Sequence, residues 1–296
     1  MVNASENDLR RLAAVPLIGG AWMRALVEFA VLTVLISIAF ADGLASMTTI
    51  WLTSSAYHHG IVATPIALWL ILRQRDWRNA EPRRDWRGGA VIALAALLCA
   101  VGRSASLSIV EHVAFALSII GAVIFAFGCA LSMRWRFALA FLFFMVPFGE
   151  EANPVLQNAA AAVVTAMLNA SGLETARDGL ILSTAIGRFE IAPSCSGLRF
   201  LLASAMISTV LVSLAFRTIR ARASFIAAAL VAALLANWLR AYAIIALATL
   251  SERRFGVGPE HVALGWTFYG ALMLGLILFA RRFAAVGKPL RDGGAD

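Results

Sequence analysis

The sequence predicts an all-α polytopic membrane protein with about eight transmembrane helices. Of its 296 residues, 61% are hydrophobic and 14% are charged, and the mean hydropathy is +0.82. Long apolar runs recur along the chain and are separated by short segments that carry arginine. A soluble protein of this length needs much less apolar sequence for its core, so composition and pattern together favour a chain that crosses a membrane repeatedly.

Eight apolar runs are candidates for these spans, because each approaches the length that a hydrocarbon core of about 30 Å requires. The second and the fifth are the weakest, since they are barely long enough to cross. We expect all eight to form one integral membrane domain over residues 1–296. Their approximate limits are 22–41, 58–72, 88–103, 111–131, 135–148, 198–216, 223–250 and 261–280.

Arginine placement predicts the orientation of these spans. By the positive-inside rule the arginine-rich segments face the cytoplasm, and both termini are then cytoplasmic as well. The same clustering accounts for the net charge of +8 without a nucleic-acid partner. The segments expected inside are 73–87, 133–136, 217–222 and the residues from 281, and those expected outside are 42–57, 104–110, 149–197 and 251–260.

The outer segment 149–197 is the longest loop, and we expect it to form a small cap before the sixth span. Its first part has the pattern of a helix that ends near Gly172, because glycine commonly follows a helix C-terminus. Residues 181–183 and 188–192 have the pattern of short strands around a turn near Gly187. The insertion is therefore predicted to be one helix plus a β-hairpin.

The stretch "PSCSGLRF", residues 193–200, places Cys195 at the start of the sixth span. Ser194 or Ser196 is the expected N-cap of that helix. A cysteine at a helix N-terminus faces unpaired backbone N–H groups and the positive end of the helix dipole, which favour the nucleophilic thiolate. Gly197 would allow another backbone to come close. The alternative is that Cys195 is a small residue packed at a helix start.

Arg240 interrupts the apolar run of the seventh span, and an arginine within a span marks a functional site or a specific partner by default. It follows Ala223 by about 25 Å of helix, so it lies near the outer boundary, on the side expected for Cys195. Asn237 precedes Arg240 by one turn on the same helical face. The alternative is an arginine whose side chain reaches the outer headgroups.

His261 begins the eighth span, again at the outer face, with Gly265 one turn later. Histidine exchanges protons near neutral pH, which suits a general acid or base, and the alternative is an ordinary interface histidine. His58 and His59 precede the second span on the same side, as candidate site-lining or interface residues. The three cysteines and four histidines lack metal-ligand spacing, so we expect no metal and no cofactor.

Cys195, Arg240 and His261 would together supply a nucleophile, a cation for a developing oxyanion and a group that transfers protons. This set resembles the exosortase/archaeosortase family of multi-pass membrane transpeptidases. The resemblance covers the chain from about Trp51 to Phe268, and one departure is Ser194, since members commonly have alanine just before the cysteine. Three motifs carry the resemblance, in the family's order: Cys195-Ser196-Gly197, Asn237 with Arg240, and His261 with Gly265. Two weaker similarities are Tyr57-His58-His59-Gly60 and Pro147.

The resemblance implies that Cys195 attacks a peptide bond in a C-terminal sorting signal of an exported protein and forms a thioester. Such signals consist of a short motif, often Pro-Glu-Pro, a transmembrane helix and a basic tail. Arg240 would stabilise the oxyanion, and His261 would protonate the leaving amine. The product would be released by water or transferred to a surface glycan or lipid. The implied location is a bacterial inner membrane, with the active site on its periplasmic face.

Two other functions stay open from the sequence. An arginine within a span and a nearby histidine would also suit a transporter or channel, although the chain lacks the internal repeat and paired broken helices of many transporters. A non-catalytic membrane scaffold, linked for example to polysaccharide export, would be indifferent to loss of the Cys195 thiol.

Overall fold

The computed structural model describes residues 19–74, 80–252 and 259–286, and in the last helix it describes the side chains of residues 263–282. The described residues are mainly helical, with one small sheet. They divide into two compact units, the first within 1–53 and 60–147 and the second within 54–59 and 148–296.

α5 is the central helix of the first unit, and half of the residues in its most apolar stretch are buried. α1, α2 and α4 all pack against α5. α1 is mostly exposed and presents large apolar side chains such as Val31 and Ile38, which is the surface expected to face lipid. The helices are α1 (Gly20–Ala39), α2 (Ala41–Thr53), α3 (His59–Arg73), α4 (Trp86–Ser104), α5 (Ser108–Phe127), α6 (Cys129–Arg134) and α7 (Arg136–Phe141).

Arginines from two segments expected in the cytoplasm meet at one end of the first unit. Arg83 and Arg84 precede α4, Arg134 ends α6, and all three line a cavity of about 200 Å³. Arg84 also forms an ion pair with Glu28 of α1, with 2.6 Å between Nη2 and Oε1. The two arginine-bearing segments therefore lie on the same side of this unit, as the predicted orientation requires.

Six of the described helices are long and apolar enough to cross a membrane, and they correspond to six of the eight predicted spans. The predicted span 58–72 is the 15-residue helix α3, which is shorter than a typical span. The predicted span 135–148 is interrupted, because α7 passes into a 3-10 turn at Leu142–Met145 and the chain then reaches Pro147 and the left-handed Gly149. Counting the interrupted segment together with the helix that follows gives up to seven spans, so eight are not confirmed.

The second unit begins with a helix and a small antiparallel sheet, followed by three long helices. The sheet has the order β1-β2-β3. The sequence predicted one helix and two strands here, and the structure has a third strand, β1, paired with β2. The elements are α8 (Asn153–Ala170), β1 (Ala176–Asp178), β2 (Ile181–Thr184), β3 (Gly187–Glu190), α9 (Leu198–Ala215), α10 (Ile219–Leu250) and α11 (Pro259–Val286).

A buried apolar cluster joins α8, the sheet and the C-terminal part of α10. Small residues on both helices let them pack closely, and Cys195, partly buried, packs against the same cluster. This cluster therefore fixes the cap, and the turn that follows it, against α10. Its buried members are Ala160, Ala161, Val164, Leu168, Leu182, Ile191, Ala241, Ile245 and Ala246.

Candidate active site

Cys195 lies in the turn between β3 and α9, and not within the first turn of the helix. The segment Pro193–Cys195 forms a single 3-10 turn, in which the N–H of Cys195 donates to the carbonyl of Ala192 at 2.8 Å. The N-cap of α9 is Gly197, so the sequence-based choice of Ser194 or Ser196 as N-cap was wrong. The thiol thus precedes the helix, and its environment is set by the side chains around the turn.

Both the backbone conformation at position 197 and the atoms around it require a glycine there. Its φ of +99° lies in the left-handed region that disfavours any residue with a Cβ. A Cβ at this position would also lie 2.9 Å from Nδ2 and 3.1 Å from Cγ of Asn237. The close approach that the sequence suggested is therefore real, but the neighbour is a side chain of α10 and not another backbone.

Asn237 links α10 directly to the turn. It is fully buried, and its Nδ2 donates a hydrogen bond to the carbonyl of Cys195 at 2.9 Å. Because Gly197 leaves room for its amide, Asn237 can reach the Cys195 carbonyl across this gap. From the sequence, Asn237 was grouped with Arg240, and the structure adds a contact of Asn237 that positions the backbone of Cys195.

Two amide side chains of α8 hold the same turn from the other side. Ser196, fully buried, donates from Oγ to Oδ1 of Asn153 at 2.7 Å and accepts from the N–H of Leu198 at 3.3 Å. Gln157, one turn further along α8, donates from Nε2 to the carbonyl of Ile191 at 2.7 Å. Sequence reasoning missed Asn153 and Gln157. The available signal was two amides spaced by one helical turn at the start of an otherwise apolar helix.

Arg240 is buried among three helices of the second unit. It is 3% exposed, its Cζ lies 6.0 Å from the ring centroid of Phe200 on α9, and a Cβ at Gly265 of α11 would lie 3.3 Å from its Nε. Gly265 therefore leaves the space that the guanidinium occupies. Burial inside protein disfavours the alternative in which Arg240 merely reaches lipid headgroups. Because burying a guanidinium costs free energy, a buried arginine within a span indicates a specific role.

Arg199 is a second cation at this site that sequence reasoning missed. It is half-buried in the first turn of α9, its Cζ lies 5.8 Å from the ring centroid of Phe200, and it is within electrostatic range of Cys195 and Arg240. The signal in the sequence was a charged residue inside an apolar run, only four positions after the cysteine. The described site is therefore strongly positive.

The remaining sequence-predicted residues lie apart from these contacts or outside the described side chains. Ser194 and His58 are exposed, and Nδ1 of His59 is 3.0 Å from the carbonyl oxygen of Ala56. No described hydrogen bond joins either histidine to Cys195 or Asn237. His261 lies in the first turn of α11, one turn before Gly265, and its side chain is outside the described part of the structure.

Tyr57, next to the two histidines, is buried and fixes the segment that precedes α8. Its hydroxyl donates to the carbonyl of Phe148 at 3.1 Å. Burial, and then the nearby carboxylates of Glu150 and Glu151, raise the pKa of Tyr57. The phenol is therefore a neutral hydrogen-bond donor at physiological pH. Among the described residues no cluster of histidine, cysteine and acidic side chains could hold a metal ion.

The bond between Asn153 and Ser196 gives a testable stability effect. Replacing Asn153 with alanine leaves the buried Ser196 hydroxyl without its acceptor, which should lower the free energy of unfolding by about 1–3 kcal/mol. Thermal unfolding in detergent micelles measures this. The matched control is Asn158→Ala on the exposed side of the same helix, with an expected change of about 0.5 kcal/mol or less. Equal destabilisation by the two variants would contradict a special role for Asn153.

A family model described as transmembrane exosortase (Exosortase_EpsH) matches residues 51–278, a range that contains every described contact of the site. No curated protein and no solved structure matches the chain.

Proposed function

The chain belongs to the transmembrane exosortase family, and on that premise we propose that it is a membrane-embedded cysteine peptidase or transpeptidase acting on a C-terminal sorting signal. The observation that carries the proposal is the contact of Asn237 with the backbone of Cys195. Asn237 precedes Arg240 by one turn of α10, so the turn that bears Cys195 is held by the same helix that carries the buried guanidinium. A nucleophile is thereby coupled to a cation that water does not screen.

The proposed chemistry is acyl transfer. The sulfur of Cys195 attacks the carbonyl of the scissile peptide bond, and the guanidinium of Arg240 stabilises the negative charge that develops on the carbonyl oxygen. His261, in the first turn of α11 and one turn before Gly265, protonates the leaving amine with the proton that the thiol gives up. The resulting thioester is then resolved by water or by an amine of a surface glycan or lipid.

The proposed substrate is a membrane-anchored exported protein. Its sorting signal combines a short motif, a transmembrane helix and a basic tail, and the helix would lie in the bilayer beside the enzyme's spans. The motif would then meet the thiol at the outer face of a bacterial inner membrane, with both termini of the enzyme in the cytoplasm. The cluster of Arg83, Arg84 and Arg134 at one end of the first unit supports this orientation.

Loss of the thiol tests the proposed activity. The probe is a sorting reporter: a secreted domain followed by a short motif, an apolar helix of about 20 residues and an arginine tail. A panel of these reporters varies the motif and includes Pro-Glu-Pro. Co-expression with the enzyme should shorten at least one reporter on a gel, and Cys195→Ala should abolish the shortening while the variant still accumulates in the membrane.

The matched control for this experiment is Cys129→Ala, because Cys129 belongs to the first unit, whereas the contacts of the site lie within the second, and its thiol should be dispensable. If the reporter is shortened normally by Cys195→Ala, the peptidase proposal is wrong and a non-catalytic membrane scaffold is favoured. Failure of the wild-type enzyme on the whole panel would count equally against it.

Labelling with a membrane-impermeant maleimide tests the proposed orientation. Cys195 is partly exposed and should react from outside intact cells. Cys129 lines the arginine-rich cavity and should react only after the cells are opened, and Cys99 is buried and should react in neither case. Single-cysteine variants separate the three signals. Protection of Cys195 until the cells are opened would reverse the assigned orientation.

A further inference from the structure

The outer edge of β3 has unused backbone hydrogen-bonding groups. β3 pairs with β2 on one side, and the N–H of Ile191 extends this ladder by donating to the carbonyl of Leu180 at 2.9 Å. In an antiparallel ladder alternate residues bond to opposite edges. The N–H and C=O of Arg188 and the N–H of Glu190 therefore point away from β2, and among the described residues no hydrogen bond reaches them.

Along the chain, β3 is followed closely by the turn that bears the thiol of Cys195. β3 ends at Glu190, and Cys195 follows within one short turn. Phe189 of β3 and Cys195 both pack against the buried cluster shared by α8, β2 and α10, which fixes the strand and the turn on the same support. A peptide lying along β3 in an extended conformation would therefore continue past Cys195.

The side chains of β3 are of the kind expected on a strand whose outer edge remains unpaired. Arg188 and Glu190 are exposed on one face, and Phe189 is partly buried on the other. Exposed charges of this kind protect an edge strand from uncontrolled pairing with other chains and leave its backbone groups available. Main-chain hydrogen bonds to such an edge give affinity for any extended peptide, and side-chain contacts beside them add selectivity.

We propose that the substrate segment around the scissile bond binds as an additional strand on the outer edge of β3. This proposal rests on the proposed peptidase function and names how that site holds its substrate. The occupant is an extended, unfolded peptide, such as the linker between a folded exported domain and its membrane anchor. The backbone groups of Arg188 and Glu190 hold this peptide, and the turn after β3 presents Cys195 to it.

Proline substitution tests the edge from the enzyme's side. Arg188→Pro removes the outward N–H and places a ring at the edge, but it keeps the ladder to β2, because this N–H does not bond there. Reporter processing should be at least about fivefold slower than with Arg188→Ala, as expected for loss of one hydrogen bond and a steric block.

The opposite edge of the same sheet supplies the matched control. By the same alternation the N–H of Arg177 in β1 points outward, away from β2. Processing by Arg177→Pro should therefore stay within about twofold of Arg177→Ala, because neither variant touches the β3 edge. Equal rates for Arg188→Pro and Arg188→Ala would overturn the strand-addition proposal. The peptidase function would still stand, provided that Cys195→Ala remains inactive.

Backbone-modified peptides test the edge without changing the enzyme. A synthetic peptide that spans the reporter's cleavage region should inhibit processing by detergent-solubilised enzyme. Two further versions carry N-methyl groups on alternate non-proline residues, one version on the odd and one on the even positions. Strand addition requires one set of amides only, so one version should lose about tenfold in inhibition while the other keeps it. Equal potency, or equal loss, would contradict strand addition.

Discussion

Replacing Gly197 with alanine is expected to reduce reporter processing by about 100-fold or more. The added Cβ meets two obstacles: a φ of +99° that disfavours any Cβ, and Nδ2 of Asn237 at 2.9 Å. Asn237 must move, its hydrogen bond to the Cys195 carbonyl is lost, and the thiol shifts. A displacement of about 1 Å in a catalytic group costs on the order of 100-fold in rate.

The matched control for this variant is Gly172→Ala. Gly172 also has a positive φ, +78°, but no atom lies within 4 Å of the position that its Cβ would take. This variant carries the same kind of backbone strain without the collision, so it should lose about 1 kcal/mol of stability and keep its processing rate. Measuring the alkylation rate of Cys195 in both variants separates a displaced thiol from general unfolding. A wild-type rate for Gly197→Ala would refute the assigned geometry.

Substitution of Arg240 should give the second large effect. Removing one group that stabilises a developing oxyanion costs about 100- to 1,000-fold in kcat, and we expect that loss for Arg240→Ala. Arg240→Lys should keep part of the activity, because it retains the charge and loses the planar fork of donors. Arg240→Gln, which is polar and neutral, should behave like alanine. These values are read from kcat with detergent-solubilised enzyme and the most efficiently processed reporter.

Arg199 is the matched control for Arg240, because both guanidinium groups lie near the ring of Phe200. Arg199 is only half-buried and is better placed to attract substrate than to stabilise a buried charge. We therefore expect Arg199→Ala to raise KM by about tenfold or less and to change kcat little. If Arg199→Ala lowers kcat as much as Arg240→Ala, the oxyanion role cannot be assigned to Arg240 alone.

The long apolar helices could be predicted from the sequence because a run of about 20 apolar residues has few other uses. The two shortest predicted spans could not be settled in this way. Residues 58–72 form a helix that is too short by itself, and the α-helix in the run 135–148 ends at Phe141, where a 3-10 turn leads to Pro147. In such short segments one backbone-breaking residue outweighs the apolar composition.

Part of the site could also be predicted, because glycine and buried polar residues stand out in an apolar sequence. Asn237, Gly197, Arg240 and Gly265 were all singled out in the sequence, and the structure adds their contacts: Asn237 with the Cys195 carbonyl, and Gly265 beside the Arg240 guanidinium. The amides Asn153 and Gln157 stood out in an apolar helix, but their partners could not be predicted. Their partners are a hydroxyl and a carbonyl more than 30 residues away, and no local pattern encodes that pairing.

The length of α10 connects the site to the thickness of the bilayer. α10 has 32 residues, about 48 Å, and a hydrocarbon core is about 30 Å thick. In the proposed orientation Arg222 lies at the inner headgroups, and Arg240, about 27 Å further along, would lie close to the outer rim of the hydrocarbon. A thicker bilayer would place this level of α10 inside the hydrocarbon, and a thinner one would place it among the headgroups. If this orientation holds, we expect the enzyme's activity to vary with the thickness of the surrounding bilayer, through hydrophobic mismatch along a single helix.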